Sequence, residues 1–175
     1  MLIGRGLRLI LGYVVGGSIF LILLPYALVR ASAHLDHLVP VALVPFPALR
    51  FAVAGILLVV GLWFGIWSNV EQYVKGRGGP VEFAGVEISP KTQHLVVTGP
   101  YRCTRNPMLF GACMLYYGVA LLLNSITAFA LVTLFMLLML LFVRLSEEPR
   151  LRRDFGGEYE EYRRKVSMFF PWTKT

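Results

Sequence analysis

The sequence is poor in the groups that soluble proteins depend on. Only 15% of its 175 residues are Asp, Glu, Lys or Arg, where a soluble domain carries about 25%. That excludes an ordinary soluble domain. It also excludes a disordered chain, which is rich in charge and poor in apolar residues. Cysteine is scarce: Cys103 and Cys113 do not make a disulfide framework. Histidine is limited to the scattered His34, His37 and His94, and neither CxxC nor HExxH occurs. Zinc chemistry needs such clustered ligands, so no metal site is expected. No internal repeat or low-complexity tract divides the chain, and its length suits a single domain over residues 1–175.

What the sequence has in abundance is apolar surface, with 57% hydrophobic residues. A spanning helix needs about 20 mostly apolar residues. Four runs approach or meet this: Leu9 to Val29, Phe51 to Trp67, Met108 to Leu123 and Ile126 to Val143. They predict spans over about 9–29, 49–68, 107–123 and 125–145. The first is too long and uninterrupted for a signal-peptide core. Asn124-Ser125 separates the last two, which predicts a tight helical hairpin. Leu38 to Leu49 is apolar but short, and it contains Pro40, Pro45 and Pro47; it reads as an interfacial or re-entrant loop. In segment 146–175, Arg and Glu alternate with Phe155, Tyr159, Tyr162 and Val166. That pattern predicts a basic amphipathic helix on the membrane surface, with Gly156-Gly157 placed to interrupt it. The expected fold class is an all-α integral membrane protein. It has about four transmembrane helices and a cytoplasmic amphipathic C-terminal helix.

The net charge is +7, and its distribution sets the topology. Of the 17 Lys and Arg, all but Arg30 and Arg50 lie in the N-terminal stretch, the loop 68–107 or the C-terminal segment. Basic loops stay in the cytoplasm, so both termini and loop 68–107 are expected there. Trp63, Trp67 and Trp172 suit the interface on the same side. The basic residues flank apolar runs and do not build one folded surface. The expected partner is therefore the lipid bilayer and not nucleic acid. Chemistry on a water-soluble molecule belongs in 68–107 and 144–175, where the polar residues concentrate.

Within those segments, KGRGGP at 75–80 fits no phosphate-loop pattern and reads as a flexible loop. Residues 95–111 read LVVTGPYRCTRNPMLFG. Asn106 is a good N-cap residue and Pro107 suits the first turn of the third span. A helix N-terminus favours anions, and Arg102 and Arg105 add positive charge there. Tyr101 offers an aromatic face to a base. Residues 144–148 read RLSEE, and Arg144 is spaced to pair locally with Glu147 or Glu148. Two adjacent acids near a helix C-terminus are unfavourable for the dipole and favour a cation, which a ligand can supply.

These two segments, in this order and flanking a helical hairpin, resemble the isoprenylcysteine carboxyl methyltransferase family, related to membrane phospholipid methyltransferases. The first part is Leu95 to Gly111. The second is Glu147-Glu148, Leu151, Phe155-Gly156, Tyr159 and Tyr162, ending near Pro171-Trp172. The resemblance implies a membrane methyltransferase that uses S-adenosylmethionine and a lipid-like or prenylated acceptor, either carboxylate or amine. It implies a plasma membrane of bacterial or archaeal type, since Asn106 stands where eukaryotic members carry His. By position, Gln93, His94, Leu95 and Val96 run along the methyl donor, and Tyr101 contacts it. Arg105, Asn106, Pro107, Leu109, Glu147 and Glu148 complete its surroundings. Leu109 replaces the family's usual Tyr. Val143 holds the place of a substrate-binding arginine, with Arg144 beside it as the nearest substitute. No catalytic residue is assigned, because displacement at a sulfonium methyl needs proximity and alignment more than acid–base groups. Two other classes remain open: a membrane reductase related by fold and using a nicotinamide cofactor, and a non-catalytic membrane anchor or scaffold.

Overall fold

The computed structural model describes residues 2–39, 41–76, 82–83, 86–87 and 93–172. Most of the Gly-rich stretch 75–80 and most of loop 76–92 lie outside the described residues. The chain begins with a long helix. Its α1 part, Leu2–Gly17, passes through a π turn, Ser18–Leu23, into α2, Leu24–Leu35. Helix α3 covers Pro47–Glu71 and ends in a second π turn, Gln72–Gly76. Two short strands, Glu82–Phe83 and Val86–Glu87, pair antiparallel. A 3-10 turn, Gly99–Arg102, leads to α4, Pro107–Leu123, and then to α5, Ile126–Phe142. A third π turn, Val143–Glu147, joins α5 to α6, Glu148–Lys165.

Two of the π turns answer to proline. Pro25 and Pro149 have no N–H to donate, and each ring presses toward the carbonyl four residues back. Those carbonyls belong to Leu21 and Leu145, and both sit in π turns. The extra residue of a π turn widens the helix there, so the helix bends and is not broken. This is why the first helix runs to Leu35, beyond the span end expected near Val29.

Three helical stretches are long and apolar enough to cross a membrane: Ile10–Leu35, Pro47–Gly76 and Ile126–Lys165. Helix α4 is a shorter apolar partner of 17 residues. Their outer faces expose large apolar side chains, among them Ile22, Val59, Trp63 and Leu138. In water so large an apolar surface is a liability; in a bilayer it is matched by the solvent. The chain is a multi-pass helical membrane protein. The Pro-rich stretch before α3 forms no helix among its described residues, and Pro47 opens α3 in its first turn.

The centre of the molecule is the α3–α4 pair, where small residues let the backbones touch. A Cβ added at Gly61 would lie 2.7 Å from the Leu115 N and 2.8 Å from the Gly111 O. One added at Gly118 would lie 3.2 Å from the Ala54 O. Close approach at small residues is how membrane helices associate without a hydrophobic driving force. Around this seam, Tyr116, Ala120, Ala128 and Val132 bury against Leu28.

The hairpin at Asn124-Ser125 forms as its residues dictate. Asn124 takes the left-handed conformation (φ 54°) that closes α4, a geometry Asn tolerates well. Its side chain accepts from Val44 N. Ser125 caps α5 by accepting from Ala128 N at 2.9 Å and donates to Asp36 Oδ1 at 2.6 Å. Ser125 is buried. Replacing it with Ala removes both bonds and should destabilise the protein by about 1–2 kcal/mol. Thermal unfolding in detergent, beside the wild-type chain, measures this.

The C-terminal segment differs in part from expectation. Its helix is broken by Gly156 (φ 52°, ψ −123°), as the Gly pair predicts. The apolar side chains of its helix, however, pack on the protein, while Phe170 and Trp172 beyond it are exposed. Tyr159, Tyr162 and Val166 are buried against Leu95, Tyr101, Leu151 and Phe155. A neighbouring protein surface satisfies them, so this face has little left to give the bilayer.

Candidate functional site

The site is assembled where the loop before α4 meets the end of α5 and the C-terminal tail. Gly99 has φ +58°, a conformation glycine adopts without strain, and it starts the 3-10 turn that carries Tyr101. Tyr101 N donates to the Thr98 carbonyl at 3.1 Å, and Tyr162 Oη donates to the Tyr101 carbonyl at 2.6 Å. Burial, with Tyr13 and Glu71 alongside, pushes the Tyr101 phenol above its usual range, so it stays neutral at physiological pH.

The next residues are stitched to the tail through backbone groups. Arg105 N donates to Ser167 O, Trp172 N donates to Cys103 O, and Thr104 pairs in parallel with Ser167. Asn106 stands at the N-cap position of α4, but its side chain does not cap the helix. Its Nδ2 instead donates to Met168 O at 2.9 Å, while its own N–H goes to Thr104 Oγ1. The expected capping role is thereby corrected: the amide holds the tail. Phe169, buried, packs edge-on to Phe110 and locks the same junction. Asn106→Ala should lower stability by about 0.5–1.5 kcal/mol, one net hydrogen bond, and loosen the tail. Limited proteolysis near Phe169-Phe170, with thermal unfolding, reads both effects.

The charges pair differently from the local scheme expected for Arg144. Glu148 pairs with Arg105 across the fold, and both side chains are over nine-tenths buried. Arg105 Nη1 also donates to the carbonyls of Arg163 and Val166, each at 2.9 Å. Glu147 pairs with Arg150 at 2.6 Å in a half-buried setting. Arg144 points outward and is exposed.

Between these groups lies a cavity of about 180 Å³. Leu95, Val96, Tyr101, Arg105, Asn106, Glu147 and Glu148 are among the residues that line it. These are seven of the residues expected from the sequence. Gln93 and His94 are exposed outside the cavity. Pro107 is buried in the first turn of α4, and Leu109 packs with the Phe110–Phe169 cluster. Arg144 is not in the lining, although its neighbour Val143 is. Arg102 lies in a separate depression with Lys165 and Glu161. Sequence reasoning did not assign Gln72, Met108, Val143, Arg150, Leu151, Phe155, Tyr159 or Tyr162 to the cavity. For Leu151, Phe155, Tyr159 and Tyr162 a signal existed: their spacing of three to four residues marks one helical face. Among the described residues, no group of three His, Cys, Asp or Glu is placed to hold a metal.

A family model described as phospholipid methyltransferase matches residues 49–158, from α3 through the first half of α6. The chain belongs to the phospholipid methyltransferase family. It is 36% identical over 124 residues to the nickel-cobalt-cadmium resistance protein NccN of Alcaligenes xylosoxydans xylosoxydans, covering 68% of this chain and 52% of that protein. It is 34% identical over 92 residues to the phosphatidylethanolamine N-methyltransferase of Schizosaccharomyces pombe, covering 53% of this chain and 10% of the relative. It is 29% identical over 110 residues to the methanethiol S-methyltransferase of Mycobacterium tuberculosis, covering 62% of this chain and 40% of that enzyme. The chain thus spans about half the length of the first relative and less of the other two. No solved structure matches it.

Proposed function

We propose that this protein is a membrane methyltransferase that takes its methyl group from S-adenosylmethionine and passes it to a lipid-like or prenylated acceptor, at a carboxylate or an amine. The observation that carries this is the mixed lining of the cavity. Two acids and two arginines share the lining with the rings of Tyr101, Phe155 and Tyr159. Such a donor set fits a molecule with an amino-acid end and a flat base. Glu147 receives the ammonium, Arg150 lies beside it for the carboxylate, and Tyr101 offers its ring to the base.

S-adenosylmethionine, when bound, supplies an electrophilic methyl on a sulfonium. With Glu147, Arg150 and Tyr101 holding it, that methyl would be open to displacement by an acceptor lone pair, the carbon–sulfur electron pair returning to sulfur. A carboxylate acceptor needs no further change, and an amine releases one proton to water. The protein's contribution is alignment and exclusion of water. The Tyr101 turn and the α6 face of Leu151, Phe155, Tyr159 and Tyr162 enclose the donor, and the apolar outer faces of the spanning helices give an apolar acceptor its approach from the bilayer. The relative named for phosphatidylethanolamine supports an amine on a lipid headgroup as the first acceptor to try.

The experiment is calorimetric titration of the detergent-purified protein with S-adenosylmethionine, with a nicotinamide dinucleotide as control. Saturable binding of the first alone supports the proposal, and methyl-labelling of membrane extracts then finds the acceptor. Binding of the dinucleotide alone would favour the reductase class. The same reading puts the cavity on the cytoplasmic side, following the basic loops. A reporter fused after Thr175 should therefore be active in the cytoplasm; activity on the opposite side would invert the topology.

A further inference from the structure

Tyr101 is held from two sides. From the tail, Tyr162 binds its carbonyl. From below, the turn that carries it rests on the end of α3, at a residue no motif brought into consideration. We infer that Glu71 is a positioning residue that sets Tyr101 in the donor cavity by seating the Thr98–Gly99 backbone on its carboxylate. This rests on the reading of the cavity as the methyl-donor site.

Glu71 is the last residue of α3, and its side chain is 13% exposed. Its Oε1 accepts from Thr98 Oγ1 and from Lys75 Nζ, each at 2.5 Å. Gly99 is pressed against the same carboxyl. A Cβ at Gly99 would lie 2.9 Å from Glu71 Cδ and 3.1 Å from Trp67 Nε1. The turn therefore has a floor made of a carboxylate and an indole, and only glycine fits above it. Thr98 is both the residue Glu71 binds and the residue whose carbonyl takes the Tyr101 N–H. A shift of Thr98 is transmitted directly to Tyr101. The next residue of the chain, Gln72, lines the cavity, so the end of α3 both supports the turn and faces the ligand.

Lys75 and Thr98 contribute differently. Lys75 is half exposed, and its ion pair with Glu71 is the kind worth little. Thr98 is the link to Tyr101. Glu71→Gln keeps an acceptor oxygen for Thr98 and loses only the charge. Glu71→Ala and Thr98→Val each break the link. Lys75→Ala keeps the Thr98–Glu71 bond but removes the 2.8 Å bond that Lys75 Nζ donates to Thr98 Oγ1, so it disturbs the link only in part.

The test places 3-fluorotyrosine at position 101 and records fluorine spectra of the detergent-purified full chain without ligand. The expected result is one resonance in the parent and Glu71→Gln chains, and a shifted or split resonance in Glu71→Ala and Thr98→Val. With S-adenosylmethionine itself as probe, those two variants should bind several-fold to about tenfold more weakly, the scale of one displaced contact. The double variant should bind no more weakly than either single one, as for two residues acting through one contact. An unchanged Tyr101 resonance in folded Glu71→Ala overturns the inference, as does additive loss in the double variant. If the parent chain binds no S-adenosylmethionine, the donor-site reading fails, and the ligand-free resonance still decides whether Glu71 positions Tyr101.

Discussion

Two adjacent glutamates should fail in opposite ways. Glu147→Ala should give a folded protein that no longer binds S-adenosylmethionine at concentrations that saturate the wild type. Glu148→Ala should fold poorly or not at all. The difference follows from burial. Glu148 and Arg105 are 9% and 8% exposed, and removing one partner of such a pair leaves an uncompensated buried charge. That costs about 3–5 kcal/mol, a large part of a domain's whole stability. Arg105 also ties down the carbonyls of Arg163 and Val166, so disturbing it releases the tail as well as the pair. Glu147 and Arg150 are more than a fifth exposed, and a pair at that depth contributes little to stability. Glu147 is therefore the acid able to exchange its partner for a ligand. Thermal unfolding and calorimetric titration of both variants in detergent separate the two roles. Equal stability of the two variants would remove the structural assignment of Glu148. Undiminished binding by Glu147→Ala would remove the ligand assignment.

The parts of the molecule legible in the sequence are those where a side chain has a local job. Asn124 and Ser125 close one helix and open the next through their own geometry, so the hairpin could be read from two letters. Gly156 breaks its helix where a glycine pair stands. The apolar runs give the spanning helices because the bilayer sets their length. Helix ends were less legible, since a π turn absorbs Pro25 and carries the helix onward. What stayed hidden was long-range. The Arg105–Glu148 pair joins residues 43 apart in sequence, and spacing alone points to Arg144 as the partner. The tail is bound to residues 103–106 by backbone bonds and by the Asn106 and Arg105 side chains on its carbonyls, long-range contacts that sequence spacing does not mark. The motif resemblance brought Tyr101, Asn106 and the glutamates together. The α3 contribution, Gln72 in the cavity and Glu71 beneath the turn, falls outside that motif and depends on how α3 ends.

The second large effect is expected at the α3–α4 seam. Gly111→Ala adds one carbon, yet it should destabilise the protein by at least about 1–3 kcal/mol, the usual range for overpacking. The new Cβ would lie 2.8 Å from Gly61 O and from Gly65 N, and 3.3 Å from Gly65 Cα. All three are backbone atoms of α3, so no side chain can turn aside and the helices themselves must part. Parting α3 from α4 moves the start of α4, where Asn106 and Met108 face the cavity, away from Gln72 on α3. Binding of S-adenosylmethionine should fall along with stability. Gly118→Ala is the informative neighbour: its nearest contact is Leu58 Cγ at 2.8 Å, on a side chain that can rotate, and the closest α3 backbone atom is 3.2 Å away. It should be tolerated better. Gly55→Ala sets the baseline, because nothing lies within 4 Å of the added carbon. In an open helical position Ala is favoured over Gly by about 1 kcal/mol, so this variant should be neutral or more stable. The order Gly55→Ala, Gly118→Ala, Gly111→Ala in falling unfolding temperature would establish that backbone contact along the seam holds the site together. A Gly111→Ala protein as stable as Gly55→Ala would mean that α3 and α4 separate freely, and that the cavity is held by the tail alone.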